Sequence, residues 1–345
     1  MYIILTILMF GLLILLHELG HFTMARLFKV PVIEFSIGMG PRLFVKRSEK
    51  TGTEYSIRAL PFGGYVSMEG EGAESDNPNS YSKKPVWQRM LILVAGPVMN
   101  IVIAILLMFA IVIAAPVLHS TVIANFLEGS TSNAEGGLMV DDKIVKVGWV
   151  PVISGQELVY EIAMQGYEPI DITVERNGEI IVLENVTFGI TEESGLKIGT
   201  PDFQIYGLEK TFPRVLLHAT TRSFSTFKAI IDSIATMISG RVGADAIQGP
   251  IGITGEIVEM EKQKMMDMST FIYLASMISM NLGIFNLLPI PGLDGGQLVF
   301  RFIELIRRKP VNEKVETMIN AGMIIILLAL SALIAFKDVI NIFKK

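Results

Sequence analysis

Hydrophobic residues gather in four long blocks, with polar and alternating stretches between them. The first covers residues 2–24, the second about Arg89 to Leu118, and the fourth about Met318 to Phe336. The third begins near Met268, runs through Leu274, Ile278 and Leu282, and then breaks up. Each block is long enough for a helix to cross a bilayer, which takes about 20 apolar residues. A cleaved signal peptide competes for the first block. No basic segment precedes its apolar run and no small-x-small site closes it, so it reads as a retained span. The second block is long for one span, so its early part is expected to tilt or to lie near the interface. It contains Ala95-Gly96-Pro97-Val98-Met99-Asn100, where Asn100 needs a partner and reads as a helix–helix hydrogen bond.

The third block breaks at Asn286-Leu287-Leu288-Pro289-Ile290-Pro291-Gly292-Leu293-Asp294-Gly295-Gly296. Prolines and glycines inside an apolar segment stop a continuous helix. Irregular backbone at that depth is tolerated only where it lines a protein-enclosed or watery cavity. Asp294 falls there, and Gln297 to Ile306 follows with one apolar face.

The intervening stretches carry other periods. Residues 35–41 and 55–66 read as short strands with glycine turns, an apolar hairpin whose open edge an extended substrate could join as a further strand. Gly70 to Pro85 reads as a mobile connector. From about residue 120 a soluble module begins. Gly136 to Val147 reads as a turn and a strand, and Ser154-Gly155-Gln156-Glu157 as a capping box opening a short helix. Ile170 to Glu175 and Ile180 to Leu183 alternate about Asn177-Gly178, a hairpin signal. Phe212 to Met237 reads as an amphipathic helix lying on the outer membrane surface, and Gln248 to Ile253 as a loop. The resulting layout is an N-terminal membrane part (1–118), a β-rich domain (119–205), a connector (206–265) and a C-terminal membrane part (266–345).

Charge orients this layout. Arg26, Lys29, Arg42, Lys46, Arg47, Lys50, Arg58, Lys83 and Lys84 crowd the first loop, while 117–142 has no Lys or Arg. By the positive-inside rule the first loop is cytoplasmic and the β-rich domain extracytoplasmic. Arg307-Arg308-Lys309 agrees; Lys337, Lys344 and Lys345 at the outer C-terminus do not. Composition narrows the chemistry. Hydrophobic residues make up 51% of 345, net charge is -5, and no basic stripe marks a nucleic-acid surface. With no cysteine, a metal must sit on His, Asp or Glu. There are four histidines, and His119 and His218 read as isolated surface or interfacial groups.

The other two carry the candidate site. His17-Glu18-Leu19-Gly20-His21 is H-E-x-x-H, and helical pitch puts both imidazoles on one face with Glu18 beside them. Zinc suits this pair, and its bound water becomes acidic enough to act near neutral pH. An ionisable group in an apolar helix costs about 2.5 kcal/mol or more without a partner, which argues against chance placement. Spans one and three cross in the same direction, so Asp294 is expected at the depth of the histidines as a third ligand. Glu18 is then the general base and acid. Asn286 is a candidate oxyanion donor or substrate clamp, and Asn281 a weaker one.

These motifs resemble the site-2 protease family of intramembrane zinc metalloproteases, in the RseP-like bacterial branch with a PDZ domain. His17-Glu18-Leu19-Gly20-His21 and Leu293-Asp294-Gly295 match its zinc motifs, and Asn286, Pro289 and Pro291 its N-x-x-P-x-P positions. Phe62-Gly63-Gly64-Tyr65 resembles its substrate-holding β-loop, which adds Gly63 and Gly64 to the substrate-binding candidates. Gly249-Pro250-Ile251-Gly252 resembles a signature after the PDZ domain. The resemblance implies an α-helical membrane protein with four transmembrane helices, a membrane-associated β-loop and one inserted extracytoplasmic PDZ domain. It implies Zn2+ and cleavage of single-span membrane proteins, either pre-trimmed anti-sigma factors or remnant signal peptides, in the bacterial cell membrane with the active site toward the cytoplasm. Departures fall in the PDZ part. Asp141-Asp142-Lys143-Ile144 stands for the usual Gly-Asp-Lys-Ile and Gly148-Trp149 for Asn-Gly, which favours a steric filter over a peptide binder. Two rival readings remain, a catalytically silent zinc-bearing PDZ scaffold and a transporter; the latter lacks an internal repeat.

Overall fold

The computed structural model describes residues 2–72, 75–193, 196–239 and 249–344. Among the described residues four helices are long and apolar enough to cross a membrane: α1 (Tyr2–Leu27), α2 (Val86–Ala114), α6 (Met268–Leu287) and the 314–340 part of α8 (Glu313–Lys344). The chain divides into two compact units, residues 1–104 with 248–345, and residues 105–247.

In the first unit α1 leads into β1 (Val32–Arg47) and β2 (Glu54–Met68), which form a more folded hairpin than simple alternation suggests. Residues 34–37 are paired on both flanks, with 54–57 and with 64–67, while 44–47 pair again with 54–57. The segment 64–67 is thus an outer strand. Buried Glu34 fastens this arrangement, accepting hydrogen bonds from Ser56 Oγ (2.6 Å), Tyr65 OH (2.5 Å), Arg42 Nη2 (2.6 Å) and Arg58 Nη2 (2.9 Å). Burial would raise its carboxyl, but these four donors outweigh that and hold it at about 2.

The connector expected to be mobile is anchored. Tyr81, in a short 3-10 turn (Tyr81–Lys83), is buried with Ala25, Val30, Val32, Met68 and Ile92, and its amide bonds Glu69 O at 2.8 Å. Ser75 and Asn77 donate side-chain hydrogen bonds to the Glu69 carboxylate, and Ser75 Oγ and Asn77 Oδ1 accept from the Asn77 and Asn79 amides, closing local turns. Glu74 and Gln248 lie outside the described residues.

Small residues bring the membrane helices together. A Cβ on Gly20 of α1 would strike the backbone of Ala95 and Gly96 in α2, and one on Gly283 of α6 would meet Pro97 O at 2.8 Å. Ser276 and Ser279 of α6 donate to Ala104 O and Asn100 O, each at 2.8 Å. Packing and hydroxyl bonds substitute here for the hydrophobic drive that lipid does not supply. α2 ends at Ala114, four residues short of the expected end, because Pro116 cannot continue a helix and Leu118 opens a strand.

That strand, β3 (Leu118–Phe126), belongs to the second unit. With β4 (Lys143–Val147), β5 (Val150–Pro151), β6 (Ile170–Arg176), β7 (Glu179–Val186) and β10 (Phe203–Leu208) it makes a sheet of order β10-β3-β4-β6-β7, with β5 on β4. α3 (Gly155–Gln165) supplies Leu158 and Ile162 to a core with Ile123, Ile144, Val147, Ile172 and Val174. Ser154 caps it by accepting from Glu157 N. Asn177 and Gly178 both have positive φ, the primed turn that an Asn-Gly hairpin predicts. Asp142 is fully buried on a bidentate pair with Arg176, both bonds 2.7 Å. β8 (Gly189–Glu193) and β9 (Leu196–Thr200) form a separate hairpin.

α4 (Phe212–Ile238) is helical as predicted, but His218 is buried rather than superficial, and burial pushes its imidazole below the ordinary range. Residues 250–253, expected as loop, open α5 (Pro250–Lys262). Pro250 occupies the first helical turn, where its missing amide costs nothing. The Gly249 and Gly252 amides both bond the Asp338 carboxylate of α8 at 2.9 Å.

Candidate metal centre

His17 and His21 are buried on the face of α1 turned toward α2. α6 ends at Leu287, residues 288–293 turn, and α7 (Asp294–Arg307) begins with Asp294 itself. The turn is tight. A Cβ on Gly295 or Gly296 would collide with the Leu287, Leu288 and Ile290 carbonyls, so both must be glycine. Gly292, at φ +89°, makes the reversal and donates its amide to Asn320 Oδ1 of α8 at 3.0 Å.

This brings Asp294 to the histidines. Its Oδ2 lies 3.1 Å from His17 Nε2 and 3.3 Å from His21 Nε2, and the two Nε2 atoms are 3.1 Å apart. An ion bound tetrahedrally at roughly 2.0–2.1 Å from each ligand separates them by about 3.3 Å. The three atoms therefore fit one face of a tetrahedron.

Protonation agrees. His21 Nδ1 meets Ile92 O at 2.8 Å, so that nitrogen carries the proton and Nε2 presents a lone pair. His17 Nδ1 meets the Asn100 amide at 3.2 Å, and Asn100 is wholly buried with Oδ1 otherwise unpartnered. Turning the amide by 180° lets Oδ1 accept from His17 Nδ1–H. His17 Nε2 then also presents a lone pair. Two lone pairs and a carboxylate oxygen converge with no hydrogen-bond donor on buried Asp294 Oδ2, an arrangement that a cation relieves.

α2 frames the centre with backbone as well as side chains. A Cβ on Gly96 would land on His21 Nε2 and within 2.9 Å of His17 Nε2. Glu18 is half-buried beside them, within hydrogen-bond reach of the Val66 amide of the outer strand. The Cβ position of Gly64 is 3.4 Å from Glu18 Cγ, so this strand passes directly against the carboxylate. Gly63 has φ +85° and packs on Met39. Pro289 is exposed, and Pro291 and Asn286 are half-buried. Asn281 is exposed and about 160° around α6 from Gly283, which faces α2. Neither Asn281 nor Asn286 is within hydrogen-bond range of the histidines. Asn100, Ile92 O and Gly96 were not singled out from sequence as parts of the site. The signal available was a buried amide in an apolar span.

The model of peptidase family M50 matches residues 5–330. The chain belongs to this family, the site-2 proteases. A Fusobacterium nucleatum protein whose name places it among zinc metalloproteases is 36% identical over 99% of both chains. The regulator of sigma-W protease RasP of Bacillus subtilis is 26% identical over 98% of both. Zinc metalloprotease RasP of Shouchella clausii is 28% identical, over 97% of this chain and 98% of its own. This M50 chain is accordingly a zinc-dependent membrane protease, as its H-E-x-x-H and Leu-Asp-Gly motifs suggest.

Proposed function

We propose that the chain hydrolyses peptide bonds of single-span membrane proteins within the membrane. The substrates would be anti-sigma factors already trimmed outside, or remnant signal peptides. His17, His21 and Asp294 hold the zinc, and Glu18 is the catalytic base and acid. The observation that carries this reading is the convergence of three ligand atoms within 3.3 Å, on apolar helices, with Glu18 and an outer strand alongside.

Zinc, when bound, supplies Lewis acidity toward the scissile carbonyl and an acidified water. Glu18 takes a proton from that water and delivers it to the leaving amine. An extended substrate adds to the 64–67 edge, held by main-chain bonds, with Gly63 and Gly64 keeping the strand free of side chains near Glu18. Asn286, at the end of α6, clamps the substrate backbone or steadies the oxyanion, and Pro289 and Pro291 stiffen the loop that presents Asp294. Asn281 faces the wrong way for direct contact and at most lines the approach.

The basic first loop and Arg307-Arg308-Lys309 favour a cytoplasmic active site in the cell membrane. The second unit is then extracytoplasmic, and we read its sheet, α3 and hairpin as a PDZ domain that excludes substrates with bulky external parts. α4 supports a seat on the outer membrane surface. Leu216, Phe224, Phe227 and Ile231 are exposed along one face, and Ser223, Thr226 and Ile230 are buried on the face adjoining it.

Co-expression with tagged single-span proteins, with and without their external domains, tests the reading. The wild type cleaves the shortened forms. Glu18→Gln keeps its zinc and cleaves none of them. Equal processing by both proteins would refute the role of Glu18.

A further inference from the structure

α2 carries a second contact to the ligand set, one that neither the motifs nor the family assignment describes. Arg89, Ile92, Gly96 and Asn100 lie within roughly 80° of one another around this helix. Three of them meet the histidines, through the Ile92 carbonyl, the Gly96 backbone and the Asn100 amide. The fourth, Arg89, reaches α7, the helix that begins with Asp294. Its Nη2 donates to Glu304 Oε1 at 2.6 Å, 215 residues away in sequence, and its Nε to Lys84 O at 3.1 Å. Arg89 and Glu304 are both buried. Glu304 Oε2 accepts from Arg301 Nη1 at 3.0 Å, and Arg301 pairs in turn with Glu316 of α8. Two arginines and two glutamates thus form an alternating, self-neutralising row across α2, α7 and α8.

We propose that Arg89 and Glu304 are positioning residues that set the distance of Asp294 from the His17–His21 pair. This rests on the reading of those three residues as zinc ligands. α7 is fixed at its start by the Gly292–Asn320 bond and in its second half by the ion-pair row. Glu304 is ten residues beyond Asp294, about 15 Å along the helix. At that lever arm a tilt of about 2° moves the Asp294 carboxylate by about 0.5 Å, the tolerance of a working constellation. One face of α2 therefore gauges both halves of the site, the histidines directly and Asp294 through the far end of α7.

Zinc affinity of the purified full chain, by competition with a chromogenic chelator, tests this independently of proteolysis. Asp294→Ala, as the reference, loses zinc. Glu304→Gln keeps the shape but drops the charge, and is expected to weaken zinc about 10- to 100-fold, the usual range for residues that orient ligands. The double variant Arg89→Met with Glu304→Met leaves no unpaired charge, so it folds with wild-type helix content and shows the same weakening. A pair that served the fold alone would lower the melting temperature of the metal-free chain and leave zinc affinity untouched. Affinity within twofold of wild type in the double Met variant, with Asp294→Ala zinc-free, overturns the positioning role alone. Should Asp294→Ala keep its zinc, the ligand assignment is wrong and the positioning role falls with it.

Discussion

Two buried clusters of ionisable groups in the first unit are built on opposite plans. Around Glu34 one carboxylate receives four donors, from Ser56, Tyr65, Arg42 and Arg58, and its charge is fully answered. Around Asp294 two imidazole lone pairs and a carboxylate oxygen face one another, and Asp294 Oδ2 has no donor. A buried polar group left unanswered is costly, so proteins keep such arrangements where something else completes them. The first cluster shapes the hairpin and is finished by the chain itself. In the proposed reading a cation finishes the second, and the surrounding contacts hold its members to the spacing that the cation requires.

This contrast can be pressed from its strongest consequence to its weakest. In the proposed mechanism Glu18→Gln leaves the ligand atoms in place and removes the proton carrier. Cleavage of a single-span substrate is expected to fall by about 10²- to 10⁴-fold, with one zinc per chain retained by metal analysis. Gly96→Ala attacks the incomplete cluster sterically, since its methyl would lie 2.3 Å from His21 Nε2 and 2.9 Å from His17 Nε2. Zinc affinity by chelator competition is expected to drop by about 100-fold or more, and Gly96→Ser should be no better. Asn100→Ala removes the acceptor for His17 Nδ1–H without touching the ligand atoms, and about 10- to 100-fold weaker zinc binding is expected.

The finished cluster should respond in stability alone. Glu34→Gln is expected to cost about 1.5–3 kcal/mol, read as loosened hydrogen-exchange protection of 34–37 and 54–57, with zinc affinity unchanged. The carboxyl is held at about 2, below its ordinary 4.5. Its contribution is therefore complete above about pH 4.5 and disappears as pH falls through about 2. Hairpin protection in the wild type should fall across that window and stay flat in Glu34→Gln.

How much of this the sequence discloses depends on how far each contact reaches. His17, Glu18 and His21 are legible because one helical turn places them, and Asp294 because a broken apolar helix marks its loop. Asn100 announces a need for a partner but not its identity, which lies 83 residues away. Ile92 contributes a main-chain carbonyl and Gly96 the absence of a side chain, and neither leaves a residue-type signal. The Arg89–Glu304 pair hides for the same reason as Asn100, since a single Arg near a helix start reads as an interfacial charge. The hairpin's double pairing is invisible to alternation, which fixes faces but not the number of partners. Residues 250–253 mislead because Gly-Pro marks turns, yet proline also suits the first turn of a helix. The β-rich unit is read well at its local signals, Ser154 and Asn177-Gly178, because caps and tight hairpins depend on neighbours alone.

X-ray absorption at the zinc edge of the purified chain tests the central claim most directly. The expected spectrum has two imidazole nitrogens and carboxylate oxygen at roughly 2.0–2.1 Å, with the imidazole contribution collapsing in His17→Ala and zinc lost in Asp294→Ala. An unchanged zinc environment in both variants would contradict it.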